Sequence, residues 1–512
     1  MNSKKTKISL HPIMTFLILT CVIVILSGVL YLLDFSQTLY TINGTTLEYS
    51  MSTVTVQNLF SFEGLKYIFS STVSNFVSFA PLSTLIIVLI GFGVMEKSGF
   101  LKTAITALTK KMKRNTVTFI LIFLSIIVSI FGDLSYIVLL PLSALVFKYG
   151  KRNPLIGVVA SFAGLTCGQG LSVIFTSVDS SLLSLSLTSA RVIDMGYRMA
   201  SISAIFIMAV AVFVLTYVLT MLTEKKVAPK LNKYEVAEVL EEDEGILTKR
   251  ELRGLVFSLF AGAIYILIFI YNIIPGLPLS GKLLDNSQVL YVDKLFSYNS
   301  FFSNGFVFIV TIFFVILGLF YGLGARTIKN HQDFVDTLGH SLDNIGKTLV
   351  LIFFASLFIS LFKYTNIGTI LVAFLANLFS KTGFQGLPLI IMLFLVSSVA
   401  TIFIPNSVTK WTILSPVVIP VFMNAGMTPE FSQIIFRFGE SMTMGLTPLM
   451  AYFVIYLAIL NDYCKKENSI GITDSLKLQV PYAIVTGLIL LCILILWYVI
   501  GLPTGINGAT IL

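Results

Sequence analysis

The chain has 512 residues, is 56% hydrophobic and only 12% charged, and carries a formal net charge of +9, with a mean hydropathy of +0.93. These values belong to multi-pass helical membrane proteins, and the long unbroken apolar runs exclude a membrane β-barrel, whose strands alternate with period two. The basic residues fall in short loops between apolar runs, which follows the positive-inside rule and gives no reason to expect a nucleic-acid partner.

Lys4, Lys5 and Lys7 precede a first span at about Met14–Leu33. No cleavage pattern follows it, so it is expected to be a retained helix. A polar segment runs from Asp34 to about Ser78, then a second span from Phe79 to Met95. After a basic, amphipathic stretch, Thr116–Phe147 is apolar but interrupted at Gly132, Asp133 and Ser135. Its arms have 16 and 12 residues, short of the roughly 20 that a helix needs to cross a bilayer. A re-entrant hairpin is therefore expected at 116–147. The third span, about Asn153–Leu187, is broken by Gly164, Gly168 and Gly170, and the fourth is Met195–Leu222.

A hydrophilic linker, 224–253, carries the acidic run Glu241–Glu244, expected to be a solvated loop. The fifth span is Leu255–Ile273 and the sixth Gly305–Gly322. The seventh, Ile345–Leu361, is followed by a short apolar run, Ile367–Phe379. A second hairpin is expected at 387–423, with its tip at Ile404–Thr409. The eighth span, Pro429–Leu460, is broken at Gly439–Pro448, where Gly439 and Gly445 look like break residues; the ninth is Val480–Ile500. With the N-terminus in the cytoplasm, inside loops hold 25 Lys and Arg and outside segments seven, which supports nine spans.

Sliding the chain by 275 residues aligns the first hairpin and third span with the second hairpin and eighth span. Leu139, Pro141, Val146, Phe147, Pro154, Gly164, Gly170 and Leu171 fall on Leu414, Pro416, Val421, Phe422, Pro429, Gly439, Gly445 and Leu446. Prolines and glycines thus match at helix starts and breaks. The predicted fold is an all-α polytopic membrane protein of nine transmembrane helices and two re-entrant hairpins, built as inverted-topology repeats with broken helices. Residues 1–223 form the first repeat, 224–253 a cytoplasmic linker, 254–273 a lone helix and 305–500 the second repeat. In such designs hairpin tips and helix breaks converge near the midplane, where helix termini and polar side chains meet substrate and ions.

Several residues carry that chemistry. Arg437 is a fixed cation inside a span; such a charge costs roughly 2.5–3.5 kcal/mol at a bilayer centre, so it either clamps a substrate carboxylate or pairs with Glu440, three residues along. Glu440 and Asp179 are candidate carriers of a coupling ion, Asp179 being otherwise a solvated residue near a helix end. Asp133 with Ser135, and Asn406 with Ser407 and Thr409, lie at the hairpin tips, as caps or as site walls. Trp411 either stacks on an aryl substrate or packs within the hairpin. Lys410 is expected to neutralise a local carboxylate or to snorkel, rather than to bind substrate. The four cysteines lie far apart and the three histidines lie outside the apolar spans. No metal site and no hydrolytic set is expected, and hence no enzyme.

The chain resembles the p-aminobenzoyl-glutamate transporter (AbgT) family at Gly93–Gly99, at Asp133–Pro141, at Lys410–Trp411 with Pro416 and Pro420, and at Arg437–Glu440 leading to Thr447–Phe453. The resemblance implies a homodimeric, elevator-like, ion-coupled transporter of the bacterial cell membrane. It implies uptake of p-aminobenzoyl-glutamate or, in some members, export of sulfonamides. It also implies functional roles for Asp179, Trp411, Pro429, Arg437 and Pro448. Glu440 replaces the family's aspartate, and Val408 a hairpin serine. The expected activity is secondary transport of an aromatic carboxylate driven by H+ or Na+, with no other cofactor; drug efflux and an ion channel are the alternatives.

Overall fold

The computed structural model describes residues 10–232, 234, 247–297, 299–343, 345–465 and 469–512; the acidic run Glu241–Glu244 lies outside them. The chain opens with α1 (Pro12–Leu32), then a two-stranded antiparallel hairpin, β1 (Ser36–Ile42) and β2 (Tyr49–Thr55). Next come α2 (Phe62–Val77), α3 (Ala80–Lys97) and α4 (Phe100–Thr109). The first hairpin is α5 (Arg114–Val128) and α6 (Asp133–Tyr149); the first broken helix is α7 (Pro154–Gly168) and α8 (Ser177–Arg191). Helix α9 (Ile205–Leu222) runs through a π-helical turn into α10 (Ala228–Leu231). There follow α11 (Lys249–Ile273), α12 (Tyr291–Phe296), α13 (Phe301–Ala325), α14 (His331–Gly339), α15 (Gly346–Tyr364) and α16 (Ile367–Ser380). The second hairpin is α17 (Leu387–Phe403) and α18 (Ser407–Asn424); the second broken helix is α19 (Pro429–Thr443) and α20 (Phe453–Tyr463); α21 (Ile472–Ile500) closes the set.

Eight helices among the described residues are long and apolar enough to cross a bilayer, one of them an arm of the first hairpin. That arm, Arg114–Phe131, turns back at Gly132 and belongs to its hairpin; the other seven helices and the two broken helices make nine crossings beside two hairpins, whose α-helical arms have 15 to 18 residues. Helices α7 and α19 occupy the same 15 positions of the two repeats, 275 residues apart, and begin by the same device. Asn153 accepts from the Leu155 amide and Thr428 from the Phe431 amide, each followed by a proline at the first helical position. Proline suits that position, since its missing N–H would have had no helical partner.

The hairpins enter from opposite ends of the molecule. At the N-terminal end of α9, the Phe206 and Ile207 amides donate to Thr504 O; the same C-terminal segment meets the base of the second hairpin through the Thr428 amide on Thr510 O. At the other end of α9, Glu224 accepts two bonds from Arg152, at 2.7 and 3.0 Å, at the base of the first hairpin. The two hairpin bases are thus separated by the length of α9, 18 residues, or about 27 Å.

Three expectations need correction. The polar segment 34–78 contains β1, β2 and α2. The strands are rich in Thr, Tyr and Val, which suit a pleated surface, and Gln37 and Tyr49 bond to Asn377 and to Pro416 O. The linker begins later than 224, because helix continues to Leu231 and Glu224 is held by Arg152. Gly164 and Gly439 are not break residues. They lie inside α7 and α19, where a Cβ would come within 2.7 Å of Ser125 and Ser397 Cβ, on the first hairpin arms. They are the close-approach points of each arm on its broken helix, at equivalent positions in the two repeats. Gly168 ends α7, and Gly170 and Gly445 do lie at the breaks.

Candidate substrate and coupling site

Helix α19 brings Arg437 and Glu440 to the meeting point of both repeats. Arg437 Nη1 donates to Glu440 Oε1 at 2.6 Å. Its Nη2 donates to the Gln169 carbonyl at 2.7 Å and to Ser172 Oγ at 2.9 Å, both in the break between α7 and α8. Asp179 Oδ1 stands 3.6 Å from Nη2, and Ser407 Oγ, at the second hairpin tip, 3.5 Å from Nη1. The guanidinium therefore joins the break of the first repeat to the hairpin tip of the second. It is 4% exposed, and its Nε is buried with no partner. The close approach is possible because Gly170 lies against α19: a Cβ there would come within 2.0 Å of the Arg437 carbonyl oxygen, while its amide donates to Ser441 Oγ at 2.9 Å.

Glu440 is fully buried and lies between two cations, with Oε2 3.1 Å from Lys410 Nζ. Lys410 is fully buried too and donates to Thr401 Oγ1 at 2.6 Å. Two cations and two carboxylates, Arg437, Lys410, Glu440 and Asp179, form one cluster of balanced formal charge. Burying ions without such pairing would be costly, since each loses several kcal/mol of hydration.

Asp179 is not solvated. It is 9% exposed and closes a capping box at the start of α8, where its Oδ2 accepts from the Thr176 amide at 3.0 Å and hydroxyl at 2.7 Å. Its second oxygen is left to Arg437. A cavity of about 60 Å³ opens beside this pair, lined by Ser172, Asp179, Gln433 and Arg437 together with Glu430 and residues 199–205.

Trp411 lies elsewhere. It is fully buried, packs on Phe436 at 4.5 Å, and donates from Nε1 to Ser186 Oγ at 2.8 Å. Ser186 in turn donates to Gln433 at 2.7 Å. The tryptophan thus ties α18 to α8, and in this conformation it offers no face to the cavity. Asn406 caps α18, accepting from the Thr409 amide at 2.9 Å. Asp133 opens α6 without a capping bond, and Ser135 bonds back to the Gly132 carbonyl. Pro429 starts α19, and Pro448 lies in the break after it, beside Thr447, whose hydroxyl donates to Ile402 O at 2.7 Å. Neither proline lines the cavity.

The structure adds Gln169, Ser172, Thr401, Ser186, Gln433 and Glu430 to the site. Gln169 had a sequence signal, between two break glycines. The others are ordinary polar residues in apolar spans, and only the fold shows which of them face Arg437.

A family model described as the AbgT putative transporter family matches residues 6–512. The chain belongs to the AbgT family. The p-aminobenzoyl-glutamate transport protein of Escherichia coli (strain K12) is 27% identical over 502 residues, covering 97% of this chain and 93% of that protein. Among solved structures, MtrF of Neisseria gonorrhoeae, described within a class of antimetabolite efflux pumps, is 28% identical, covers 98% of each chain and has a TM-score of 0.50. The YdaH transporter of Alcanivorax borkumensis is 27% identical, covers 97% of this chain and 100% of that one, and has a TM-score of 0.49. As an AbgT-family chain, this protein is a multi-pass membrane transporter.

The charges are not shared equally between the repeats. At the equivalent positions of the first copy, Glu430, Arg437, Glu440 and Lys410 are Leu155, Phe162, Leu165 and Ser135. The second copy supplies the fixed cations, and the first contributes Asp179, the Gln169 carbonyl and Ser172.

Proposed function

We propose that this protein is a secondary active transporter of aromatic carboxylates, with p-aminobenzoyl-glutamate as its substrate. The observation that carries this is Arg437: a buried guanidinium on a cavity wall, with an unpartnered Nε and its longest ionic contact to Asp179. A substrate carboxylate competes with Asp179 for that cation, and a planar fork binds a carboxylate through two parallel bonds. The arriving anion unbalances the cluster. p-Aminobenzoyl-glutamate brings two carboxylates, so a proton on Asp179 offsets one of its two charges, and release of both substrate and proton on the far side completes one cycle. We favour H+ over Na+, because Lys410 already supplies the cation that Glu440 Oε2 and Thr401 would otherwise bind.

Movement of the hairpin core, α5–α8 with α17–α20, against a scaffold containing α1, α11 and α13 would expose the site alternately. We place the N-terminus in the cytoplasm, following the distribution of basic residues, and the protein in a bacterial inner membrane as a homodimer, following its family. The likeness to MtrF supports a second reading, proton-driven export of antimetabolites such as sulfonamides.

The test is flux in proteoliposomes with H+ and Na+ gradients imposed separately. Accumulation of p-aminobenzoyl-glutamate against its gradient, driven by H+ alone, is expected. Accumulation driven by Na+ alone would overturn the coupling scheme. Sulfonamide export without p-aminobenzoyl-glutamate transport would favour the second reading, and flux indifferent to either gradient would indicate a channel.

A further inference from the structure

Glu430 is a second acid in the same cavity, outside the four-charge cluster. It is 6% exposed, lines the cavity with Arg437, and accepts from the Tyr197 hydroxyl at 2.7 Å on Oε2. Among the described residues no other side chain bonds to it. It precedes Arg437 by seven positions on α19, so both project from one face, about 10 Å apart along the axis. Gln433 and Ile434 lie between them on the cavity wall.

The fold does not need an acid here. Leu155 holds the equivalent place in α7, behind the same kind of capped, proline-led helix start, and is fully buried. An acid in the first turn of α19 is favourable to the helix dipole, but exposure would serve that purpose at less cost than burial.

We propose that Glu430 is a specificity-determining residue that receives the amino group of an arylamine substrate while Arg437 holds its carboxylate. This rests on the carboxylate role given to Arg437. A para-aminobenzoyl group carries its N–H donors at the end of the ring opposite the amide-linked glutamate, a span comparable to the axial separation of the two side chains. An arylamine donates two hydrogen bonds, and a carboxylate is the strongest side-chain acceptor for them. Residues 199–205 complete the cavity wall around Glu430 and Arg437.

The test is competition binding on the purified full-length protein with p-aminobenzoyl-glutamate, its N-acetyl derivative and benzoyl-glutamate, which lacks the amine. Wild type should favour p-aminobenzoyl-glutamate over benzoyl-glutamate by about 10- to 100-fold, the worth of a hydrogen bond to a charged group. Glu430→Leu, which installs the residue of the first repeat, should abolish the preference, and Glu430→Gln should reduce it. Benzoyl-glutamate should still bind both variants, at wild-type affinity or more tightly now that a nearby negative charge is gone, which also reports that the variants are folded. If Glu430→Leu does not fold, Glu430→Gln decides. An unchanged preference in the variants, equal weakening of both ligands, or no preference in wild type overturns the proposal while leaving the carboxylate site standing. Wild type that binds none of the ligands overturns the carboxylate site and this inference with it.

Discussion

Arg437 and Asp179 face each other at 3.6 Å across the boundary between the two repeats, the longest of the ionic contacts in their cluster. Arg437 keeps Glu440 at 2.6 Å, while Asp179 divides its oxygens between the α8 cap and the guanidinium. The weakest of these contacts is therefore the one that borders the cavity.

Asp179→Asn should separate binding from coupling. The amide keeps an acceptor for the Thr176 cap but no longer competes as an anion for Arg437. Anionic substrate should bind more tightly, because no carboxylate competes with it for Arg437, while proton-driven accumulation is lost. Parallel binding and uptake assays check this; accumulation at the wild-type level would remove Asp179 from the coupling step.

Lys410 and Glu440 should behave as a unit. Lys410→Met leaves a buried carboxylate with Arg437 alone and should destabilise the protein by about 3–5 kcal/mol. Adding Glu440→Gln should recover a large part of that loss, since the double variant buries no unmatched charge. A double-mutant cycle on thermal unfolding in detergent measures the interaction; additive effects would mean that the 3.1 Å contact contributes little.

Gly439 should tolerate no side chain. A Cβ there comes within 2.6 Å of the Phe394 carbonyl oxygen and 2.7 Å of Ser397 Cβ. Gly439→Val should lower stability by about 1–3 kcal/mol or more, the usual range for overpacking. Gly383→Ala, where no atom lies within 4 Å, is the matched control in a melting experiment.

Trp411→Phe should act on the fold and not on substrate discrimination. It removes the Nε1 bond to Ser186 and part of the contact with Phe436, at about 0.5–1.5 kcal/mol for the lost hydrogen bond, since Ser186 keeps its own bond to Gln433. Ser186→Ala in the same background should cost further stability, because it also removes the Ser186 bond to Gln433. A change in the relative affinities of aryl and alkyl carboxylates, with stability unchanged, would instead place the indole at the substrate.

Much of the architecture is legible in the chain because it follows from local rules. Short hairpin arms, prolines at Pro154 and Pro429, and break glycines at Gly170 and Gly445 are length and backbone constraints visible in one dimension. The Arg437–Glu440 pair follows from their i, i+3 spacing. Gly164 and Gly439 mislead for a related reason: a glycine that permits close packing looks the same in sequence as one that permits a bend. The contacts made by the indole of Trp411, the carbonyl of Gln169 and the acid of Glu430 are not legible, although the position of Gln169 between two glycines is a signal. Which of them meets Arg437 depends on how α8, α18 and α19 rotate against one another. The strands at 36–55 are hidden by a composition that also suits a polar loop.

The central claim is that Arg437 holds the substrate carboxylate. Equilibrium binding of radiolabelled p-aminobenzoyl-glutamate to purified wild type and Arg437→Ala, both shown to be monodisperse, tests it most directly. Saturable binding by wild type, abolished in the variant and not competed in wild type by the diester of the ligand, is the predicted result. Wild-type affinity in Arg437→Ala, or diester competition equal to that of the free acid, would contradict it.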